Sequence, residues 1–244
     1  MTFPIYIRLG SLRIHPHALF EILAFALAFA VFICFRGRRQ DHLSDDLRWW
    51  VITAGLVGAA LGSRLLGWME TPHVPVPGKT VVGGIVGGIL AVELGKRQFG
   101  VKTATGDLFA IPISIGIGVG RIGCFLTGLA DDTFGTVTSL PWGVDFGDGM
   151  KRHPVQIYEI LFLCLLVPML TAFWRRQSRQ GDTFKVFVSS YMAWRLFVDF
   201  FKPENLLFGF SIIQLTCLFM LIYYSRDLLR IARSLAHGEA LAES

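Results

Sequence analysis

Charge is scarce in this sequence. Of its 244 residues only 17% are Asp, Glu, Lys or Arg, against about 25% in soluble domains, whose surfaces have to be wetted by water. Too few polar groups are left to cover a water-soluble globule of this length. Disorder is excluded for the opposite reason, because 21 Phe and 6 Trp carry too much apolar surface to stay solvated. Cysteine is also sparse. Cys34, Cys124, Cys164 and Cys217 show no C-x-x-C spacing and lie in or beside apolar stretches. Neither a disulfide framework nor a zinc site is expected, and no metal is assigned. A buried free Cys most often behaves as a small hydrophobe. What the chain has in plenty is apolar: 53% hydrophobic residues and a mean hydropathy of +0.54. The remaining class is a polytopic membrane protein.

A membrane helix needs about 20 mainly apolar residues. Seven stretches qualify: Ala18–Phe35, Leu47–Trp68, Val81–Leu94, Leu108–Leu126, Val155–Trp174, Phe184–Phe201 and Phe210–Tyr224. The third is short and Gly-rich, with Glu93 near its end. The expected fold is an all-α integral membrane bundle of seven helices, a single polytopic domain over 1–244. Alternate connecting segments hold fourteen Lys and Arg on one side (Arg36, Arg38, Arg39, Arg48, Lys96, Arg97, Lys102, Arg175, Arg176, Arg179, Lys185, Arg226, Arg230, Arg233) and six on the other (Arg8, Arg13, Lys79, Lys151, Arg152, Lys202). The richer side belongs in the cytoplasm. That puts the N-terminus and the long loop 128–154 outside, and the C-terminal tail 225–244 inside. The same asymmetry accounts for the net charge of +5 without nucleic acid. The first span is not read as a cleavable signal peptide, because its basic cluster at 36–39 follows the apolar run.

Small residues recur at helical spacing within spans: Gly83 and Gly87, Gly84 and Gly88, Gly116 and Gly120. Such pairs let helix backbones approach closely in lipid. Gly118-Val-Gly120-Arg-Ile-Gly123 also satisfies G-x-G-x-x-G, but it lies inside an apolar span with no strand before it. The dinucleotide reading is therefore set aside.

Three arginines are left inside the spans: Arg64, Arg121 and Arg195. A charge at the bilayer centre costs about 2.5–3.5 kcal/mol even on a lenient insertion scale. Each therefore calls for a partner or a use. Acidic counterparts are Glu21, Glu93, Glu159 and Asp199. Arg195 and Asp199 stand at i, i+4, on one helix face, and are expected to pair. Lys202 is expected at the water boundary, solvated. In the topology above, all three arginines fall toward the outer leaflet, where guanidinium groups make a natural phosphate site. Snorkelling or bundle-locking ion pairs would account for the same residues. In 152–159, RHPVQIYE, the residues His153, Gln156 and Glu159 fall roughly on one face at the start of the fifth span, with Tyr158 beside them. Helix capping with interfacial anchoring and a functional role both fit this segment.

Four segments together resemble the prolipoprotein diacylglyceryl transferase family. GRIGCF at 120–125 is similar to its GRxGNF signature, RHPVQIYE at 152–159 to its RHPxQxYE motif, GSRLLG at 62–67 to its GxRxxY segment, and RLFVDFF at 195–201 to its R-x-x-x-E-F-F element. Order and spacing agree from about His15 to Tyr224. The resemblance implies an enzyme of a bacterial plasma (inner) membrane that moves a diacylglyceryl group from phosphatidylglycerol, or another anionic phospholipid, to the lipobox Cys thiol of a prolipoprotein signal peptide. It implies no cofactor. It gives catalytic roles to Arg121, Arg195, Asp199 and His153, and substrate binding to Arg64, Gly120, Gly123, Gln156, Tyr158 and Glu159. Departures are specific: Val82 stands where the family has His in an HGG element, Cys124 and Thr127 where it has Asn, and His17 where it has a first-span Tyr. Asp131 and Asp132 lie near the loop's usual acidic position. His17 or His153 is then a candidate substitute base. The alternative from another class is a non-enzymatic membrane protein that binds or moves an anionic lipid.

Overall fold

The computed structural model describes residues 3–10, 12–37, 44–71, 78–176, 179–202 and 209–236. Arg38, Arg39 and the tail residues 237–244 lie outside them. Among the described residues are seven α-helices: α1 (Pro16–Arg36), α2 (Asp45–Glu70), α3 (Val81–Gln98), α4 (Asp107–Thr127), α5 (Val155–Arg176), α6 (Asp182–Val198) and α7 (Ile212–Ala236). Five of them, α1, α2, α4, α5 and α7, are long and apolar enough to cross a membrane. Of the other two, α3 carries Glu93, Lys96 and Arg97 in its last turns and α6 is 17 residues long. Polarity is distributed as lipid demands. Leu165 is 75% exposed and Phe219 66%, whereas Glu159 is 2% exposed and Gln156 1%. Apolar side chains face outward and polar ones face protein, the arrangement of a helical integral membrane protein.

The chain forms two compact units. The first comprises Met1–Phe35, Leu108–Arg176 and Val198–Pro203; the second comprises Arg36–Asp107, Gln177–Phe197 and Glu204–Ser244.

In the first unit α1, α4 and α5 pack together. Phe32 stacks on Phe109 at 5.0 Å, and Phe35 meets Trp174 at 5.0 Å. Pro16 opens α1, where its fixed φ and missing N–H carry no penalty. The close approach of α1 to α4 falls at Gly123, where a Cβ would stand 2.7 Å from Phe20 Cβ and 3.3 Å from His17 Cα. Of the expected Gly116/Gly120 pair only Gly116 makes such a contact, with Ala28 at 3.3 Å; the position beside Gly120 is open. A short hairpin not anticipated from the sequence, β1 (Ile7–Leu9) with β2 (Leu12–Ile14), precedes α1.

The loop 128–154 is built rather than shapeless. It opens with a 3-10 turn, Gly128–Asp131, and ends in a hairpin of β3 (Val144–Asp145) and β4 (Lys151–Arg152). Asp145 Oδ1 accepts from the amides of Gly147 (2.8 Å) and Gly149 (3.1 Å), which take positive φ as the tight turn requires. Arg152 donates to Asp148 Oδ2 from Nε (2.9 Å) and Nη2 (2.6 Å), and this holds the Asp148 carboxyl below its usual range.

In the second unit α2 and α3 are sewn together through glycine. A Cβ on Gly62 would sit 2.8 Å from Gly87 Cα, and one on Gly83 2.7 Å from Leu66 Cβ, so Gly83 and Gly87 form the expected close seam. Thr80 Oγ1 caps α3 by accepting from Gly83 N (3.2 Å) and donates to Ser63 O (3.4 Å). Asp107 carboxylate oxygens accept from the amides of Gly181 (2.6 Å) and Phe184 (2.9 Å) at the start of α6.

Three helix ends differ from the sequence expectation. The third helix runs past Leu94 to Gln98. The sixth helix ends at Val198 and tightens into a 3-10 turn, Asp199–Phe201. Lys202 is extended (φ −104, ψ 146), the conformation imposed on a residue that precedes proline, here Pro203. The seventh helix runs past Tyr224 to Ala236. Hydropathy drops after Tyr224, but ion pairs to α6 take over: Arg230 grips Asp182 at 2.6 and 3.0 Å, and Lys185 meets Asp227 at 2.7 Å.

Candidate active site

The loop-proximal end of the first unit gathers buried polar side chains from four segments. Arg121, 8% exposed near the end of α4, points its Nε at Glu159 Oε2 across 3.0 Å. Glu159 comes from the first turns of α5. An ion pair this deep is stable only because each charge neutralises the other, and it fixes the plane of the guanidinium. Glu159, which the sequence places roughly on the face of His153 and Gln156, is therefore the acid that meets Arg121.

One turn along α5, Gln156 Nε2 donates to Thr133 Oγ1 (3.2 Å), and Thr133 donates to Asp131 Oδ2 (2.7 Å). The other oxygen of Asp131 faces His17 Nδ1 at 2.7 Å. Cys124 completes this cluster: one ligand-type atom from each of His17, Cys124 and Asp131 lies within 4.8 Å of the other two. On the remaining side, Trp142 Nε1 donates to Tyr158 Oη (2.9 Å), and Tyr158 Oη and His153 Nδ1 share a hydrogen bond of 3.1 Å. The indole can only donate, so Tyr158 accepts from it and its own proton is available to His153. The His153 ring also lies on Phe201 at 5.0 Å, and Gly135 is small enough to sit against His153, whose carbonyl accepts from its amide at 3.0 Å.

Helix periodicity orders these contacts. Arg121 and Cys124 are i, i+3 on α4; Gln156 and Glu159 are i, i+3 on α5. The antiparallel pair thus sets the charged contact, Arg121 to Glu159, one turn deeper than the Cys124–Asp131–Gln156 group. Gly120 leaves open space beside Arg121, and Gly123 lets the start of α1 come close enough to bring His17 to Cys124.

Val82, the position aligned with a family His, is a core side chain at 1% exposure, so no titratable group stands there. Of the remaining sequence candidates, Arg195 in the last turn of α6 and Asp199 at the start of the following 3-10 turn are both buried, at 4%. Lys202 departs from expectation. Its side chain is 13% exposed, with Nζ 4.0 Å from Asp199 Oδ1, so it is enclosed beside an acid rather than solvated. Arg64 is exposed on α2. Arg64 and Arg195 belong to the second unit and Arg121 to the first. From the sequence, His17 is only a candidate substitute base, and Cys124 and Asp131 only departures near the signature; Thr133 and Trp142 carry no signal there. The contacts that unite these residues join distant segments.

The family model for prolipoprotein diacylglyceryl transferase matches residues 4–225. The chain belongs to this family. Three similar relatives bear the name phosphatidylglycerol–prolipoprotein diacylglyceryl transferase. The protein of Geobacter sulfurreducens is 33% identical over 222 residues, covering 84% of each chain. That of Bordetella avium is 32% identical over 225 residues, covering 84% of this chain and 83% of its own. That of Wolbachia pipientis from Culex pipiens is 30% identical over 233 residues, covering 87% of each.

Proposed function

We propose that this chain transfers a diacylglyceryl group from phosphatidylglycerol to the thiol of a prolipoprotein's lipobox cysteine, the reaction its relatives are named for. The substrate sulfur forms a bond to the terminal glyceryl carbon of the diacylglycerol. The bond from that carbon to phosphate oxygen breaks, and glycerol phosphate leaves with the electron pair. The thiol proton passes to the leaving phosphate or to water. No residue of the enzyme is covalently altered.

The observation that carries this reading is the buried Arg121–Glu159 pair beneath the loop, in a chain of this family. A leaving phosphate gains charge as its C–O bond breaks, and a preoriented guanidinium in a water-poor site stabilises that charge. Glu159 holds Arg121 in place. Open space at Gly120 gives the head group an approach to the helix. In the second unit, Arg195 and Arg64 are further guanidinium groups able to bind an anionic lipid. His153 and Tyr158, fixed by Trp142, line the entry beneath the loop, where Gln156 offers a buried amide.

The seven helices are all spans in this reading. The N-terminus and loop 128–154 face outward, and the C-terminus lies in the cytoplasm of a bacterium whose plasma membrane holds the enzyme. The split of basic residues between connecting segments supports that orientation.

The test is detergent-purified protein incubated with phosphatidylglycerol and a lipobox peptide, read by mass spectrometry. A peptide adduct of one diacylglyceryl group supports the reading. Lipid binding without adduct from any anionic phospholipid favours the non-enzymatic alternative.

A further inference from the structure

His17, Cys124 and Asp131 come from the start of α1, the end of α4 and the 3-10 turn after it. A simple staple between helix and loop needs only His17 and Asp131. Here a thiol joins them, and the three side chains supply nitrogen, sulfur and oxygen within 4.8 Å of one another. Zinc takes these three donor types at about 2.0–2.3 Å in a tetrahedron, which separates neighbouring ligand atoms by about 3.2–3.7 Å. The His17–Asp131 contact of 2.7 Å falls about half an ångström short of that spacing, and the 4.8 Å bound on the cluster exceeds it by roughly 1 Å.

The surroundings fit a metal as well. His17 Nδ1 is a buried atom with no aligned hydrogen bond among the described residues, although Asp131 Oδ1 stands 2.7 Å away. Its other nitrogen, Nε2, faces Glu21 Oε2 at 3.8 Å, on the side where a carboxylate commonly orients a ligating His. Asp131 keeps Oδ1 toward His17 while Oδ2 accepts from Thr133, so the carboxylate is oriented from behind. Gln156 Oε1 is buried without a hydrogen-bond partner among the described residues, and its amide reaches Asp131 through Thr133. The His17 side chain is 36% exposed, which leaves the cluster approachable.

We propose that His17, Cys124 and Asp131 form a three-ligand zinc site whose fourth position takes the acceptor cysteine thiol. This rests on the transfer reaction proposed above and assigns the thiol activation that Val82 cannot provide. A thiol bound to zinc loses its proton to water and becomes the thiolate nucleophile. The zinc-bound sulfur then attacks the glyceryl carbon, the C–O bond to phosphate breaks, and glycerol phosphate departs. The metal is neither oxidised nor reduced. The spacing suits this order, because Cys124 lies one helical turn from Arg121, so nucleophile and leaving phosphate are held on one face of α4.

The test uses the full chain in detergent, stripped with a chelator, dialysed and titrated with Zn2+, with Co2+ absorption as a second probe. We expect about one Zn2+ per chain, and a Co2+ spectrum with the sulfur-to-metal band of a tetrahedral site. Cys124→Ser and Asp131→Asn should abolish stoichiometric binding, and Thr133→Ala should weaken it about tenfold, each while the metal-free protein still gives a cooperative melting transition. Adduct formation should vanish on stripping and return with Zn2+. Absence of stoichiometric binding to the wild type, or equal binding by Cys124→Ser, overturns the site. Full turnover by stripped protein overturns the thiol role and leaves the transfer reaction standing. Tight Zn2+ binding with no adduct from any phospholipid overturns the thiol role too, and with it the transfer reaction.

Discussion

Arg121 Nε and Glu159 Oε2 are 3.0 Å apart, and the two side chains are 10% and 3% exposed. This pair joins the two helices that carry most of the site. Removing the acid leaves a buried cation without its counter-charge, at about 3–5 kcal/mol. Glu159→Ala should therefore lower stability markedly. Glu159→Gln, which keeps shape and one acceptor, should fold better yet transfer slowly. Thermal melting beside adduct yield checks this; a Glu159→Gln protein with wild-type turnover contradicts an orienting role.

Gly120 and Gly123 should separate two functions of one helix face. A methyl at Gly123 meets Phe20 at 2.7 Å, so Gly123→Ala pushes α1 away and should lower stability by about 1–3 kcal/mol. A methyl at Gly120 meets nothing within 4 Å among the described residues, so Gly120→Ala should fold normally. Its effect should appear as a higher KM for phosphatidylglycerol. Equal melting losses for both variants would refute the distinction.

Asp182 and Arg230 secure α6 to the extension of α7, and Asp182 is fully buried. Asp182→Asn should destabilise the protein by about 2 kcal/mol, through loss of a charge-assisted, two-pronged bond. Turnover per folded molecule should not change, because neither residue lies in the proposed site. Melting curves with turnover normalised to folded protein measure both quantities.

Lys202 was expected in water, but it sits against Asp199. Lys202→Ala should cost about 1 kcal/mol of stability while transfer persists. Arg195→Ala should impair transfer, since Arg195 is proposed as a lipid-binding guanidinium. Equal losses of turnover in the two variants would withdraw that assignment.

Arg152 lowers the pKa of Asp148 in the loop hairpin. A depressed carboxylate adds stability above its unfolded pKa of about 3.9 and loses it as pH falls through the lower folded value. The hairpin should thus be constant near neutrality and loosen only in acid. Met150 N donates to Asp148 Oδ1 at 3.2 Å, so its amide exchange reports the opening. Asp148→Asn should speed that exchange at pH 7; an unchanged rate would remove the Asp148 carboxylate from the account.

Helix positions were legible because apolar run length and helix length are one constraint in a bilayer, as α1, α4 and α5 demonstrate within a few residues. The C-terminal half of α7 was not. Its helix is held by charge pairs to α6, and hydropathy carries no record of a partner. That the helix stops before Lys202 was readable in principle from Pro203. In the site, Arg121 stood out because an intramembrane charge is expensive, and Glu159 because it recurs on the face of His153 and Gln156. Which acid met which base was not legible, since helix spacing pairs residues within a helix and not across two. The meeting of His17 with Cys124 was hidden for the same reason: only the close approach permitted by Gly123 brings the two together.

The most direct test of the central claim compares wild type, Arg121→Lys and Arg121→Ala for adduct formation from phosphatidylglycerol on a lipobox peptide. Lys keeps the charge but not the planar fork, so Arg121→Lys should transfer weakly, and Arg121→Ala should give no adduct while remaining folded in a melting assay. Full turnover by Arg121→Ala would contradict the assignment of the phosphate to the Arg121–Glu159 pair.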